Sequence, residues 1–370
     1  MNISDIDKNF QIFSDIKEPD IKFYGVCEAP FSIYGLYKPS SGSDFSRIPA
    51  EVAKKTSKGV SELNKNTAGG RVRFKTDSEY VAINVTVPSF CVMPHMTMAG
   101  SSGFDMYEKT ENGYVFLKTF YPWEYKYDAN GSMVLDKTFE RIIYFEEKRM
   151  RDLIINFPLY NPVSEVYVGL NKNAGVFEGG KYRDILPIVY YGSSITQGGC
   201  ASRPGMSYAD IISRCYDIDY INLGFSGNAK GERAIAEYIA GLPMSVFVYD
   251  YDHNAPNTEH LRNTHKSMFN KIREKNPDFP IIIASRPKYY LSEDELVRRN
   301  IIYETYISAK NANDDNVYFV DGQKIFEFIG YDDCTVDGTH PTDLGFMCMA
   351  KAFGEIIEKL LVNIRDPNIR

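Results

Sequence analysis

The sequence predicts a mixed α/β chain in which a β-sandwich of antiparallel strands precedes a parallel sheet packed between helices. Three observations predict it. Up to about Gly180, short segments alternate apolar and polar residues between turn residues, most sharply at Tyr80–Val87, where Val81, Ile83, Val85 and Val87 share one face. After Tyr182 the rhythm changes to short β-branched runs separated by helical patterns. The length of 370 residues suits two domains, placed at 1–180 and 181–370.

The elements follow in order. The first 20 or so residues are polar and read as an arm. Lys54–Leu63 reads as a short helix or an edge strand, and Arg71–Thr76 alternates after the Gly69-Gly70 turn. Gly103–Tyr107 and Tyr114–Phe120 flank Glu111-Asn112-Gly113, a hairpin signal. Arg141–Phe145, Asp152–Phe157 and Glu165–Leu170 supply further strands. Ile185–Tyr191 is short and apolar, so it reads as a buried strand that Gly192 ends, and a helix begins near Ser207. Tyr220–Leu223, Val246–Tyr251, Ile281–Ala284 and Val317–Val320 continue the strands. Helices are expected at Glu232–Ile239, at Thr258–Lys275 with a stripe of Leu261, Met268, Phe269 and Ile272, and at Ser292–Ala309. The last helix follows Thr342, with Leu344, Met347, Cys348, Ile356, Ile357, Leu360 and Leu361 as its stripe.

Composition excludes several function classes. A net charge of −7 argues against nucleic acid and against an anionic membrane surface. No run of about 18 apolar residues is present, so no membrane span is expected. Met1–Phe10 has neither a basic nor an apolar signal-peptide region, and the six cysteines form no CxxC pair, which together suggest a cytoplasmic chain with reduced thiols. The five histidines form no HExxH and no His/Cys cluster along the chain, so neither metal nor cofactor is expected. The sequence leaves room for a homo-oligomer.

Four clusters fall at strand ends: Gly192-Ser193-Ser194-Ile195, Asn222–Asn228, Tyr249–Asn254 and Asp337-Gly-Thr-His340. A parallel sheet gathers such loops at one edge, where open α/β sheets bind ligands. A serine hydroxyl is a weak nucleophile that needs a base, and His340 is the best-placed candidate. Asp337, three residues earlier, can orient the ring through Nδ1. An acyl-transfer intermediate also needs donors for its oxyanion; the backbone N–H groups of Ser194 and Gly227 and the side-chain amide of Asn254 would supply them. Asp252 and His253 are expected to shape the loop that presents Asn254. Arg203 and Arg286 follow sheet-end loops, where a cation either reaches polar groups of a substrate or stays solvated, and Trp123 either stacks on a sugar or packs half-buried.

These clusters, in this order, resemble the blocks of the SGNH (GDSL-type) hydrolase family. Gly192-Ser193-Ser194 matches the Gly-Asp-Ser block with Ser193 in place of Asp, which selects Ser194 as nucleophile. Gly227 maps onto the second block, Asn254 onto the third, whose usual Gly-x-Asn-Asp is altered here, and Asp337 with His340 onto the DxxH block. Gly103-Phe-Asp-Met-Tyr107 is similar to the GxDLY signature of a β domain that precedes SGNH domains, with Met106 for Leu, and its role is expected to be that of a hairpin strand. The resemblance implies a flavodoxin-like three-layer fold after a jelly-roll-like sandwich. It also implies metal-free hydrolysis of short acyl esters, acetyl first, on a small ester or an acetylated oligosaccharide. An acyltransferase with the same residues stays open, as does a carbohydrate-binding protein without activity.

Overall fold

The computed structural model describes residues 16–41, 45–122, 126–327 and 329–365; Trp123 and residues 1–15 of the expected arm lie outside them. The N-terminal sheet-rich domain begins with β1 (Ile21–Gly25) and β2 (Ser32–Tyr34), followed by helices α1 (Ala50–Thr56) and α2 (Lys58–Leu63). Strands β3 (Arg71–Thr76) and β4 (Tyr80–Thr86), helix α3 (Met98–Ser101) and the hairpin β5 (Phe104–Thr110) and β6 (Gly113–Phe120) come next. After them run β7 (Lys126–Tyr127), β8 (Met133–Val134), β9 (Thr138–Tyr144), β10 (Arg151–Asn156), β11 (Glu165–Asn171) and β12 (Val176–Glu178). Two antiparallel sheets result, ordered β1-β11-β4-β9 and β12-β3-β10-β5-β6, with β2 added on β3 and β7 paired with β8 apart from them. The alternation read in the sequence becomes one shared core. Val72 and Phe74 of β3, Met106 of β5 and Leu153 of β10 meet Val81, Ile83 and Val85 of β4 and Val168 of β11.

Lys54–Leu63 is helical and does not form an edge strand. Its neighbourhood leaves the antiparallel sheets altogether: Ile48, Ala53 and Val60 are buried in the core of the C-terminal part. Only the burial of Ala53 and Val60 there explains two short helices this rich in Lys and Glu.

The C-terminal part runs β13 (Ile188–Gly192), α4 (Ser194–Gln197), α5 (Tyr208–Tyr216), β14 (Tyr220–Gly224), α6 (Arg233–Ala240), β15 (Val246–Asp250), α7 (Thr258–Lys275), β16 (Ile281–Ala284), α8 (Glu293–Asn311), β17 (Val317–Val320), α9 (Gly322–Ile325) and α10 (Asp343–Arg365). The strands form one parallel sheet, ordered β14-β13-β15-β16-β17. Ile188, Tyr190, Val246 and Val248 face a core shared with α5 and α10; Val189, Tyr191, Phe247 and Tyr249 face a second core shared with α6, α7 and α8. Burial on both faces is why these strands read as unbroken apolar runs. The strand order reverses at β13, so its C-terminal end, between β14 and β15, is the switch point at which open α/β sheets bind ligands.

On α7, Leu261, Met268, Phe269 and Ile272 are buried as expected, and His265 completes the row. On α10 the phase differs only in the first turns. Ile357, Leu360 and Leu361 are buried as expected, but at the start of the helix Leu344 and Met347 are exposed, and Phe346, Met349 and Phe353 are buried in their place. The aromatic rings decide the rotation, because Phe346 and Phe353 both stack on Tyr208 of α5.

His265 stacks on Tyr249 at 4.5 Å between ring centroids and bonds Thr305 Oγ1 through Nδ1 at 2.9 Å. Burial pushes its imidazole down to about 3. An unfolded chain takes up that proton near ~6.5, so stability present above that value is lost as pH falls toward the folded value, at up to about 1.4 kcal/mol per pH unit. His265→Phe, which keeps the stacking and cannot be protonated, should therefore lose less melting temperature than wild type between pH 6.5 and 4. Equal losses in both proteins would remove His265 from the acid response.

Candidate active site

Strand β13 delivers the chain to the sheet edge through a glycine that nothing larger can replace. A Cβ on Gly192 would stand 2.0 Å from Thr196 Oγ1 and 2.1 Å from the carbonyl of Asp250. Backbone bonds then tie three strand ends together: Ser193 N–H donates to Asp250 O at 3.0 Å, and Phe225 N–H to Gly192 O at 2.9 Å. The Ser193 hydroxyl caps α4 by accepting from Ile195 N–H at 3.2 Å. Ser194 is the first residue of that helix, and its N–H has no acceptor among the described residues, as is usual in a first turn.

From Ser194 a line of hydrogen bonds crosses to the loop before α10. The Ser194 hydroxyl lies 2.9 Å from His340 Nε2, and His340 Nδ1 lies 2.8 Å from Asp337 Oδ2. The other Asp337 oxygen accepts the backbone N–H groups of Thr339 at 3.0 Å and His340 at 2.8 Å. Burial would raise the Asp337 carboxyl, but the backbone and ring hydrogen bonds from His340, its charge and the Thr339 N–H bring it down to about 2. The carboxylate is thus ionised across the working range of pH. With Nδ1–H donated to it, Nε2 carries the lone pair that can take the serine proton.

The expected oxyanion donors stand around the neighbouring strand ends. Gly227 has φ +66°, in the left-handed region, and a Cβ there would meet nothing within 4 Å. Its N–H has no acceptor among the described residues. The Asn254 amide donates one N–H to Phe225 O at 2.8 Å, which leaves the second. Asp252 anchors this loop. Asp252 is fully buried and receives Arg286 through Nε and Nη2, both at 2.9 Å; burial opposes its charge, but the Arg286 bonds hold it below the usual carboxylate range. Burial pushes His253 down to about 4, so it stays neutral.

Arg286 and Arg203 therefore neither reach into the site nor sit in solvent. Arg286 is buried between Asp252 and Glu295. Arg203 pairs with Asp105 at 2.8 Å, bonds Tyr107 and covers the Phe116 ring at 4.0 Å. The strand signature Gly103–Tyr107 consequently does more than form a hairpin. Asp105, fully buried, accepts Arg203, the N–H of Gly205 at 2.9 Å and Asn156 at 2.9 Å, fixing the turn that enters α5.

Other residues around the site left no mark on the sequence. Tyr160 donates its hydroxyl to the carbonyl of Ser194 at 3.1 Å, and Gln197 of α4 donates to Leu159 O at 3.0 Å. His95 brings its ring centroid to 5.4 Å from that of His340. His95, Cys200 and His340 offer ligand atoms within 4.8 Å of one another, a His/Cys cluster that linear spacing hides because three distant segments build it.

Residues 186–358 match the model of the GDSL-like Lipase/Acylhydrolase family, and residues 21–176 match the N-terminus of Esterase_SGNH_hydro-type proteins. A crystal structure named for a GDSL-like lipase from Bacteroides ovatus ATCC 8483 is similar with a TM-score of 0.80 and 28% identity, over 92% of this chain and 98% of that one. Two more distant structures are alike in fold. The salicylyl-acyltransferase SsfX3 from a tetracycline biosynthetic pathway has a TM-score of 0.72 at 17% identity, over 96% and 100% of the two chains. The acetyl xylan esterase Est2A from the rumen bacterium Butyrivibrio proteoclasticus has a TM-score of 0.56 at 13% identity, over 92% and 99%. No curated protein matches the chain.

The adjacent serines should separate in stability. Ser193→Ala removes a cap and should lower the unfolding free energy by about 1 kcal/mol in urea titrations. Ser194→Ala gives up one bond to a partly exposed imidazole and should stay within about 0.5 kcal/mol of wild type. The reverse order would show that Ser194, not Ser193, holds the turn.

Proposed function

We propose that this chain, which belongs to the GDSL-like lipase/acylhydrolase family, is a serine esterase that removes short acyl groups, acetyl first, from carbohydrate. One observation carries the reading: the line Ser194–His340–Asp337, with contacts of 2.9 and 2.8 Å. Neutral His340 takes the hydroxyl proton as Ser194 Oγ attacks the ester carbonyl. The oxyanion is received by the N–H groups of Ser194 and Gly227 and by the free N–H of Asn254. Ionised Asp337 stabilises the imidazolium, which returns its proton to the leaving alcohol as the C–O bond breaks. Water, deprotonated by His340 in turn, then releases the acid and restores Ser194.

The fold that supports this is read as a flavodoxin-like three-layer domain behind a jelly-roll-like sandwich. The division near residue 180 is kept, with residues 48–63 packed across it. Carbohydrate as the alcohol rests on the fold shared with carbohydrate esterases such as Est2A. The fold shared with SsfX3 keeps acyl transfer as the second reading, since the triad does not choose the acceptor. The six unpaired cysteines fit a reducing compartment, and among the described residues no helix is long and apolar enough to cross a membrane.

Rates on p-nitrophenyl esters of graded chain length and on acetylated xylo-oligosaccharides test the reading. Acetyl should be turned over faster than octanoyl, Ser194→Ala should lose nearly all activity, and chelators should not slow the enzyme. Faster octanoyl turnover would contradict the short-acyl preference, and transesterified product with added alcohols would favour the transferase. Asn254→Ala should cost about 10²–10³ in kcat with the fold intact; an unchanged kcat would take Asn254 out of the oxyanion site.

A further inference from the structure

We infer that His95, Cys200 and His340 form a binding site for a soft divalent cation, zinc first, and that filling it stops catalysis by occupying the imidazole nitrogen that Ser194 needs. The binding half stands on geometry alone; the inhibitory half rests on the esterase reading.

The three residues come from the loop before α3, the turn after α4 and the loop before α10, and their ligand atoms lie within 4.8 Å of one another. The turn after α4 is pressed against the catalytic ring: a Cβ on Gly199 would lie 3.1 Å from His340 Cδ2. Cys200 itself has φ +73°, a left-handed backbone that few side-chain-bearing residues adopt. Tetrahedral zinc with bonds of about 2.0–2.1 Å to nitrogen and about 2.3 Å to sulfur sets its ligand atoms roughly 3.3–3.6 Å apart. Side-chain rotation has only to close the small remainder.

The chemistry of the donors agrees. Two imidazoles and one thiolate select zinc over magnesium or calcium, which want oxygen ligands. Nδ1 of His340 is held by Asp337, so Nε2 is the nitrogen offered to the cation. A carboxylate behind a ligating imidazole is the usual support of a zinc histidine, and here its negative charge also faces the incoming dication. On binding, the Cys200 thiol releases its proton to solvent and the sulfur bonds the metal. Nε2 then has no lone pair for the Ser194 proton. The fourth metal position stays open to water. Catalysis is metal-free in this scheme, and the cation acts as a reversible brake.

Cobalt and zinc titrations of the purified chain test the inference. Wild type should develop a thiolate-to-Co²⁺ charge-transfer band that zinc abolishes, and zinc should slow p-nitrophenyl acetate hydrolysis until EDTA is added. Cys200→Ser and His95→Ala, each compared with its own metal-free rate, should need at least about tenfold more zinc for half inhibition. Ser194→Ala should keep the cobalt band, which reports the site without turnover. No thiolate band in wild type, or a Cys200→Ser variant as zinc-sensitive as wild type, would overturn the site. A band in a chain that hydrolyses no ester would uphold the site and overturn the catalytic reading instead.

Discussion

The arrangement depends on one imidazole whose two nitrogens have fixed and different partners. His340 gives Nδ1 to Asp337 and turns Nε2 to Ser194. Both partners must be held independently of the ring, and they are held by different means. Asp337 is fixed by its own loop, through the backbone N–H groups of Thr339 and His340 and the bond from Val336 N–H back to His340 O. Ser194 is fixed by the sheet, because Gly192, Ser193 and Phe225 lace the ends of β13, β14 and β15 together. Asn254 enters through the same lacing, on a loop that the buried Asp252–Arg286 pair anchors. Breaking that pair would leave a buried charge without a partner, a cost of several kcal/mol.

The N-terminal part is built into the site and does more than precede it. Tyr160 and Leu159 brace α4 from behind, and Asp105 holds the turn into α5. Arg47 is the clearest case. Its buried guanidinium donates to Gly224 O at 2.5 Å, Asn222 O at 3.3 Å and Leu63 O at 2.6 Å, joining the helices of the N-terminal part to the end of β14. Burial pulls its basicity down to about 9, and the carbonyls offset the desolvation. A chain cut near residue 180 would expose the Ile48, Ala53 and Val60 seat in the second core and unpair the donors that brace Ser194.

Local periodicity made the strands and the helices legible, and loops at strand ends pointed to Ser194, Asp337 and His340, which hydrogen bonds join, and to Gly227 and Asn254 after the neighbouring strands. What stayed hidden depends on contacts across long stretches of chain. Nothing near Arg203 in sequence shows Asp105, and nothing near Arg286 shows that Asp252 waits beneath it, so both arginines read as free cations. On α10 the spacing allowed more than one stripe, and Tyr208, far upstream, decided between them. The meeting of His95, Cys200 and His340 is hidden for the same reason.

Labelling with a serine-directed phosphonate, followed by peptide fragmentation, tests the Ser194–His340–Asp337 relay most directly. The adduct should lie on Ser194, should be absent from Ser194→Ala, and should form far more slowly in His340→Ala. An adduct on Ser193, or labelling of His340→Ala as fast as wild type, would contradict a nucleophile at Ser194 activated by His340.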